Sequence, residues 1–174
     1  MNKLFIICGI SFAGKSTLGK AIAQRFDYAE VNVDDTKFQL YGPETKDEDL
    51  SHADWVSIYA ETDDRIERYL QTGKTVLDAS RYFRKAERQL ARQIATEAGA
   101  EVVTIFVDTP EDVARQRLLA NRNKQARLDV TDEGFEEILQ VMEPPGVDEH
   151  ALIFRYGDQI DSWIAKNVKY IKEY

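Results

Sequence analysis

One cysteine in 174 residues rules out an internal disulfide and makes a reducing, cytoplasmic setting the default expectation. That residue, Cys8, lies inside an apolar run and reads as a small core side chain rather than a nucleophile. The only histidines, His52 and His150, are too few and too far apart in sequence to suggest a structural metal. No apolar run approaches the length that crosses a bilayer, so no membrane partner is expected. The first such run is short and leads straight into a glycine-rich loop, unlike a signal peptide. Positive charge is also scarce: 23 Lys and Arg stand against 31 Asp and Glu, a net −8. That balance argues against binding along a nucleic-acid backbone, which wants clustered cations. The arginines do gather, at Arg81, Arg84, Arg88 and Arg92 and again at Arg115, Arg117, Arg122 and Arg127, but most read as solvated helix faces. Repeats and low-complexity linkers are missing too. What remains is 43% hydrophobic and 31% charged, the composition of a globular chain sized for a single domain over 1–174.

Against this background one segment stands out. Gly9-Ile10-Ser11-Phe12-Ala13-Gly14-Lys15-Ser16 fits G-x-x-x-x-G-K-[ST]. Before it, Lys3 to Cys8 reads as a buried parallel strand; after it, Leu18, Ile22 and Phe26 recur at helical spacing from Thr17 onward. Strand, glycine loop and helix together make a phosphate cradle. Backbone amides of Gly9, Ser11, Phe12, Ala13, Gly14 and Thr17 and the positive helix end would wrap a polyphosphate. Lys15 would reach the β- and γ-phosphates, and the Ser16 hydroxyl would ligate Mg²⁺. A nucleoside triphosphate is the expected ligand, with ATP and Mg²⁺ as cofactors.

The rest of the chain alternates strands and helices. Ala29 to Asp35 reads as a short strand ending in two acids, and 36–50, with Gly42-Pro43 and an acidic run, as a loop. A helix over 51–72 starts at Ser51, whose side chain caps it with Asp54 three residues on. Strands follow at 74–78, 100–107 and 151–156, and helices at 83–98, from Pro110 to about Ala120, at 133–142 and at 159–168. Five strands separated by helices imply an α/β fold with a parallel sheet covered on both faces. Ligands of such sheets sit at the carboxyl ends of the strands, where Asp34, Asp35, Asp78 and Asp108 all fall. Asp34 or Asp35 is placed to act as base toward an acceptor alcohol, and Asp78 to touch Mg²⁺ directly or through water. Asp108, before Thr109-Pro110, is expected to cap the next helix. The polar stretch from about 117 to 134 reads as a lid that brings guanidinium groups to the moving phosphoryl group.

In their order and spacing these segments resemble the small P-loop kinases of the polynucleotide-kinase and zeta-toxin group, which includes chloramphenicol phosphotransferase and many AAA-family ATP-binding proteins. The resemblance rests on Gly9 to Ser16, Asn32 to Lys37, Leu77 to Ser80, Val107 to Pro110, and Arg117 with Arg122. It implies a P-loop three-layer sandwich with strand order 2-3-1-4-5 and an ATP-dependent kinase. It also implies Asp34 as general base and Arg122 as the lid arginine, with Arg117 on the preceding helix. Lys37 stands where polynucleotide kinases carry arginine, which argues against a 5′-hydroxyl polynucleotide acceptor. Arg81 stands where the group's Asp-x-Thr/Ser-Asn pattern has asparagine.

A small-molecule kinase is the leading expectation. Its acceptor would lie between the 36–72 excursion and the Asp34 end of the sheet, near Asp35, Lys37, Phe38, Tyr41, His52, Trp55, Tyr59 and Arg81. A nucleic-acid end kinase would need a basic path to that side. A nucleotide-gated ATPase acting on a protein partner would need a residue to activate water, and Asp78 is followed by Ala79 rather than glutamate.

Overall fold

A strand hidden on both faces must be apolar throughout, and β1 (Lys3–Cys8) is buried along its whole length. Its side chains alternate between two cores. Phe5 and Ile7 enter one with Leu18, Ile22, Trp163 and Ile164; Leu4, Ile6 and Cys8 enter the other with Ile66, Leu70, Tyr82 and Ala91. In this computed structural model, which describes residues 1–125 and 128–172, β1 pairs in parallel with β3 (Val76–Asp78) and β4 (Glu101–Asp108). β2 (Ala29–Val31) and β5 (Leu152–Arg155) complete a five-stranded sheet in the order β2-β3-β1-β4-β5, as the resemblance implied. α1 (Lys15–Phe26) and α7 (Ile160–Ile171) supply the first core; α3 (His52–Gln71) and α4 (Lys85–Glu97) supply the second. Asp78 is in register with Val31, so β2 and β3 end at one level, and β1 runs two residues past Ile6, the partner of Asp78, before delivering its loop to the same edge. No helix of the described residues is long and apolar enough to cross a membrane.

Two sequence expectations are corrected. The strand expected to run to Asp35 stops at Val31, and the expected loop begins instead with α2 (Val33–Tyr41). Asn32 is its cap: the Asn32 side chain accepts from the Asp34 backbone N–H at 2.8 Å. Asp34 and Asp35 then fill the first helical turn, where the helix dipole favours acids. The Val31/Val33 alternation that suggested a strand comes from two buried valines on opposite sides of the cap. The cap expected from Asp108 also does not form. Asp108 ends β4, its carbonyl accepts from Tyr156 N–H, and Pro110 occupies the position before α5 (Glu111–Lys124). The Ser51 box does form: Ser51 Oγ accepts from Asp54 N–H while the Asp54 carboxylate accepts from Ser51 N–H.

α5 and α6 (Asp132–Val141) pack on each other through Ala114, Leu118 and Phe135, and Phe12 of the glycine loop is buried among them. The segment after α6 is fastened to α4. Arg88, fully buried, grips the Glu149 carboxylate with two hydrogen bonds of 2.7 and 2.9 Å and donates to the Tyr82 carbonyl. Hydrogen bonding to Arg88 holds the Glu149 carboxyl below its ordinary pKa. Removing one member of such a pair strands a buried charge. Arg88→Met is therefore expected to destabilise the fold by about 3–5 kcal/mol, measured by urea denaturation. A loss within about 0.5 kcal/mol would show that the pair carries no such burden.

Candidate functional site

Between β1 and α1 the backbone passes through positive φ at Gly9 (143°), Phe12 (60°) and Gly14 (109°). At Gly9 a side chain is sterically barred as well, since a Cβ there would lie 2.6 Å from the Val107 carbonyl oxygen. These turns point the loop's carbonyls at side-chain donors. Lys15 Nζ donates to the Gly9 and Ile10 carbonyls, both at 2.9 Å. Arg117 Nη1 donates to Phe12 and Ala13 carbonyls at 3.1 and 2.8 Å, and the buried Thr109 hydroxyl also donates to Ala13 at 2.8 Å. Lys15 Nζ also lies 5.2 Å from the centre of the Phe83 ring. Ser16 and Thr17 are exposed in the first turn of α1, and Ser11 is buried.

A cavity of about 580 Å³ opens beside the loop, lined by Phe12, Gly14, Thr17, Arg117, Tyr156 and Gln159 among others. The Arg117 guanidinium stands 5.8 Å from the centre of the Tyr156 ring. The stretch after β5 that forms this wall, Tyr156 to Asp161, was not among the residues sequence reasoning selected. Its signal was the end of a parallel strand followed by Gly157, on the ligand-bearing edge of the sheet.

On the other side of β1, Asp78 is fully buried. Its carboxylate accepts from Ser80 N–H and Oγ–H at 2.9 and 2.6 Å and from Arg81 Nε at 2.9 Å. Arg81 also bonds Asp63, so one guanidinium bridges two acids. Ser80 Oγ in turn accepts from Val33 N–H, which fastens the start of α2 to the end of β3. One turn further on is Lys37, 2% exposed, with its Nζ 3.4 Å from Asp34 and 2.6 Å from Asp47. Burial is the main cause that lifts the half-exposed Asp34 carboxyl above its ordinary pKa, and the Lys37 charge opposes it.

The structure thus gathers most of the expected residues into two groups flanking Lys15. Asp34, Lys37, Trp55, Tyr59, Arg81 and Asp78 form the group expected to face an acceptor. The Lys37 Nζ is 6.0 Å from the Trp55 ring centre, Trp55 and Tyr59 rings are 5.9 Å apart, and the Arg81 guanidinium is 5.7 Å from the Tyr59 ring. Asp35 does not join them; it is exposed and near Glu30, whose pKa it helps raise. Arg117, in α5, reaches the glycine loop. Arg122 is instead tied to the turn before α6, donating to Val130 O at 3.0 Å and to Asp132 at 2.9 Å, with Asp129 at 3.4 Å. Arg127 lies outside the described residues.

A family model described as an AAA domain matches residues 4–145. No curated protein matches the chain. Among solved structures, Chaetomium thermophilum Kti12 in complex with ADP-AlF3 superposes with a TM-score of 0.76 at 14% identity, covering 98% of this chain and 100% of that one. The Mycobacterium tuberculosis APS kinase CysC, solved with AMPPNP and APS, gives 0.65 at 20% identity over 99% and 98%. A gluconokinase from Sinorhizobium meliloti gives 0.61 at 15% identity over 98% and 90%. At these identities the likeness establishes the fold alone, a P-loop α/β sandwich with a five-stranded parallel sheet.

If Arg117 rather than Arg122 belongs to the nucleotide side, the two are separable by binding alone. Arg117→Ala is expected to weaken ATP binding about tenfold, by removing a charge-assisted donor and a ring contact. Arg122→Ala is expected to leave binding within about twofold. Isothermal titration of both variants checks this, and the reverse ranking would reject the assignment.

Proposed function

This chain belongs to the AAA domain family, and on that premise we propose that it is an ATP-dependent kinase that phosphorylates a hydroxyl group of a small molecule. The observation that carries the reading is Asp34. It is a half-exposed carboxylate with a raised pKa, held by the start of α2 to the end of β3, on the same sheet edge as the phosphate loop. A carboxylate in that setting is a better proton acceptor than one in bulk water.

In this reading the triphosphate lies along the loop amides, and the base occupies the cavity between Arg117, Tyr156 and Gln159. Lys15 leaves the Gly9 and Ile10 carbonyls and takes phosphate oxygens in their place. The ammonium then trades two neutral oxygen acceptors for charged ones, which offsets the loss of the carbonyl bonds. The acceptor hydroxyl sits near Asp34. A bond forms between its oxygen and the γ-phosphorus while the bond to the β,γ-bridging oxygen breaks. ADP leaves, and the hydroxyl proton passes to Asp34.

For Mg²⁺, the oxygen-only pair of the Ser16 hydroxyl and the Asp78 carboxylate fits an ion that takes few protein ligands. Since Asp78 already accepts from Ser80 and Arg81, it would hold the ion through water. Held there, the ion would supply positive charge to offset that of the phosphates. The α5–α6 unit, anchored by Phe12, limits water at the loop, and Arg117 stands ready for phosphate oxygens.

Asp34→Asn is expected to lower transfer by about 100-fold or more while ATP binding stays unchanged. In the unaltered enzyme, kcat/KM is expected to fall as pH drops through a value above the ordinary aspartate pKa, because the protonated carboxyl cannot accept the hydroxyl proton. Acceptor-dependent ADP release measured across pH tests both. Full activity in Asp34→Asn would remove the base from the mechanism.

A further inference from the structure

The acceptor-side group holds two cations, and neither is available to a ligand. Lys37 is 3% exposed at its side chain and is pinned between Asp34 and Asp47. Arg81 is 11% exposed and is pinned between Asp63 and Asp78. Two cations set against four carboxylates leave the group negative by two charges. The acids on its rim are more open than the cations: Asp34 is 46% exposed and Asp47 68%. An anionic acceptor, such as a nucleic-acid end or a phosphorylated sugar, would have to pull Lys37 or Arg81 off both of its carboxylates and leave those unpaired.

Two further observations point to a ligand here. Trp55 and Tyr59 run from Lys37 to Arg81 as a continuous aromatic strip, and 41% of Tyr59 is open to solvent. Each ring meets a protein cation at one place only, which leaves aromatic surface for another. The Tyr82 side chain is 1% exposed and packs 5.0 Å from the Arg81 guanidinium. Its hydroxyl lies within reach of the Asp78 carboxylate, itself taken by Ser80 and Arg81, and does not meet it at full hydrogen-bonding geometry, so this buried polar group at the back of the cluster is under-satisfied.

We propose that the acceptor is a cationic alcohol, an amine-bearing sugar or cyclitol whose ammonium group meets the Asp34–Asp47 rim and whose carbon skeleton lies on Trp55 and Tyr59. The proposal rests on the kinase reading above and narrows its acceptor class. The rim carboxylates attract the ammonium, the rings give it a polarisable face, and the same ammonium steers a hydroxyl of the molecule to Asp34.

The test is ADP release with glucosamine, 2-deoxystreptamine and kanamycin A, each beside its fully N-acetylated form, with glucose 6-phosphate and a 5′-hydroxyl oligothymidylate as anionic acceptors. At least one amine is expected to stimulate release at least about tenfold more than its acetylated form, with an advantage that shrinks as salt rises. The anions are expected to be inert. Asp47→Lys, at an exposed position, is expected to erase the preference for the amine over its acetylated form. The proposal is overturned if no amine stimulates, if acetylation is without effect, or if an anion is the better acceptor. Calorimetric binding of ATP with Mg²⁺ to the same sample separates the two failures, since retained nucleotide binding leaves the kinase reading standing when the acceptor class is wrong.

Discussion

Everything at this sheet edge depends on how the turn from Gly9 to Lys15 is held. A loop that offers its amides to phosphates must turn its carbonyls elsewhere, and unpaired carbonyls near a protein interior are costly. Here the carbonyls of Gly9, Ile10, Phe12 and Ala13 all accept from side-chain donors drawn from three elements: Lys15 of α1, Thr109 after β4 and Arg117 of α5. Phe12 adds an apolar anchor by burying its ring between α5 and α6. The loop is therefore shaped before any ligand arrives; the Thr109 and Arg117 bonds and the Phe12 anchor keep that shape when Lys15 gives up the Gly9 and Ile10 carbonyls for phosphate.

The same economy of fastening appears on the acceptor side. Ser80 joins β3 to α2, Arg81 joins β3 to α3 through Asp63, and Lys37 joins α2 to the acidic turn at Asp47. These links are polar and partly exposed, whereas β1 beside them is held by apolar burial on both faces. Underneath, the Arg88–Glu149 pair ties the chain following α6 to the carbonyl of Tyr82, the residue after Arg81. The chain following α6 and the residue next to Arg81 therefore share one buried contact.

Much of this was legible in the residues themselves. The phosphate loop, the alternation of strands and helices and the Ser51 box follow from local pattern, and the strand order followed from the resemblance. What escaped did so for identifiable reasons. Asn32 caps a helix within a sequence whose valines alternate as in a strand, so two local signals conflicted and the side-chain hydrogen bond to Asp34 N–H decided. Tyr156 and Gln159 reach the cavity only because β5 lies at the sheet edge beside β4, a fact of tertiary order. Arg117 and Arg122 look alike in sequence, yet the first faces the loop and the second meets acids that precede and begin α6. Arg88 reads as one of several surface arginines until Glu149, far along the chain, is brought against it.

The central claim is that this preformed turn grips a triphosphate, with the Lys15 ammonium completing the grip. Calorimetric titration with Mg²⁺ and AMPPNP tests it most directly. The account predicts one binding event per chain in the unaltered protein and its loss in folded Lys15→Ala. An absence of heat in the well-folded unaltered protein, or equal binding by the variant, would contradict it.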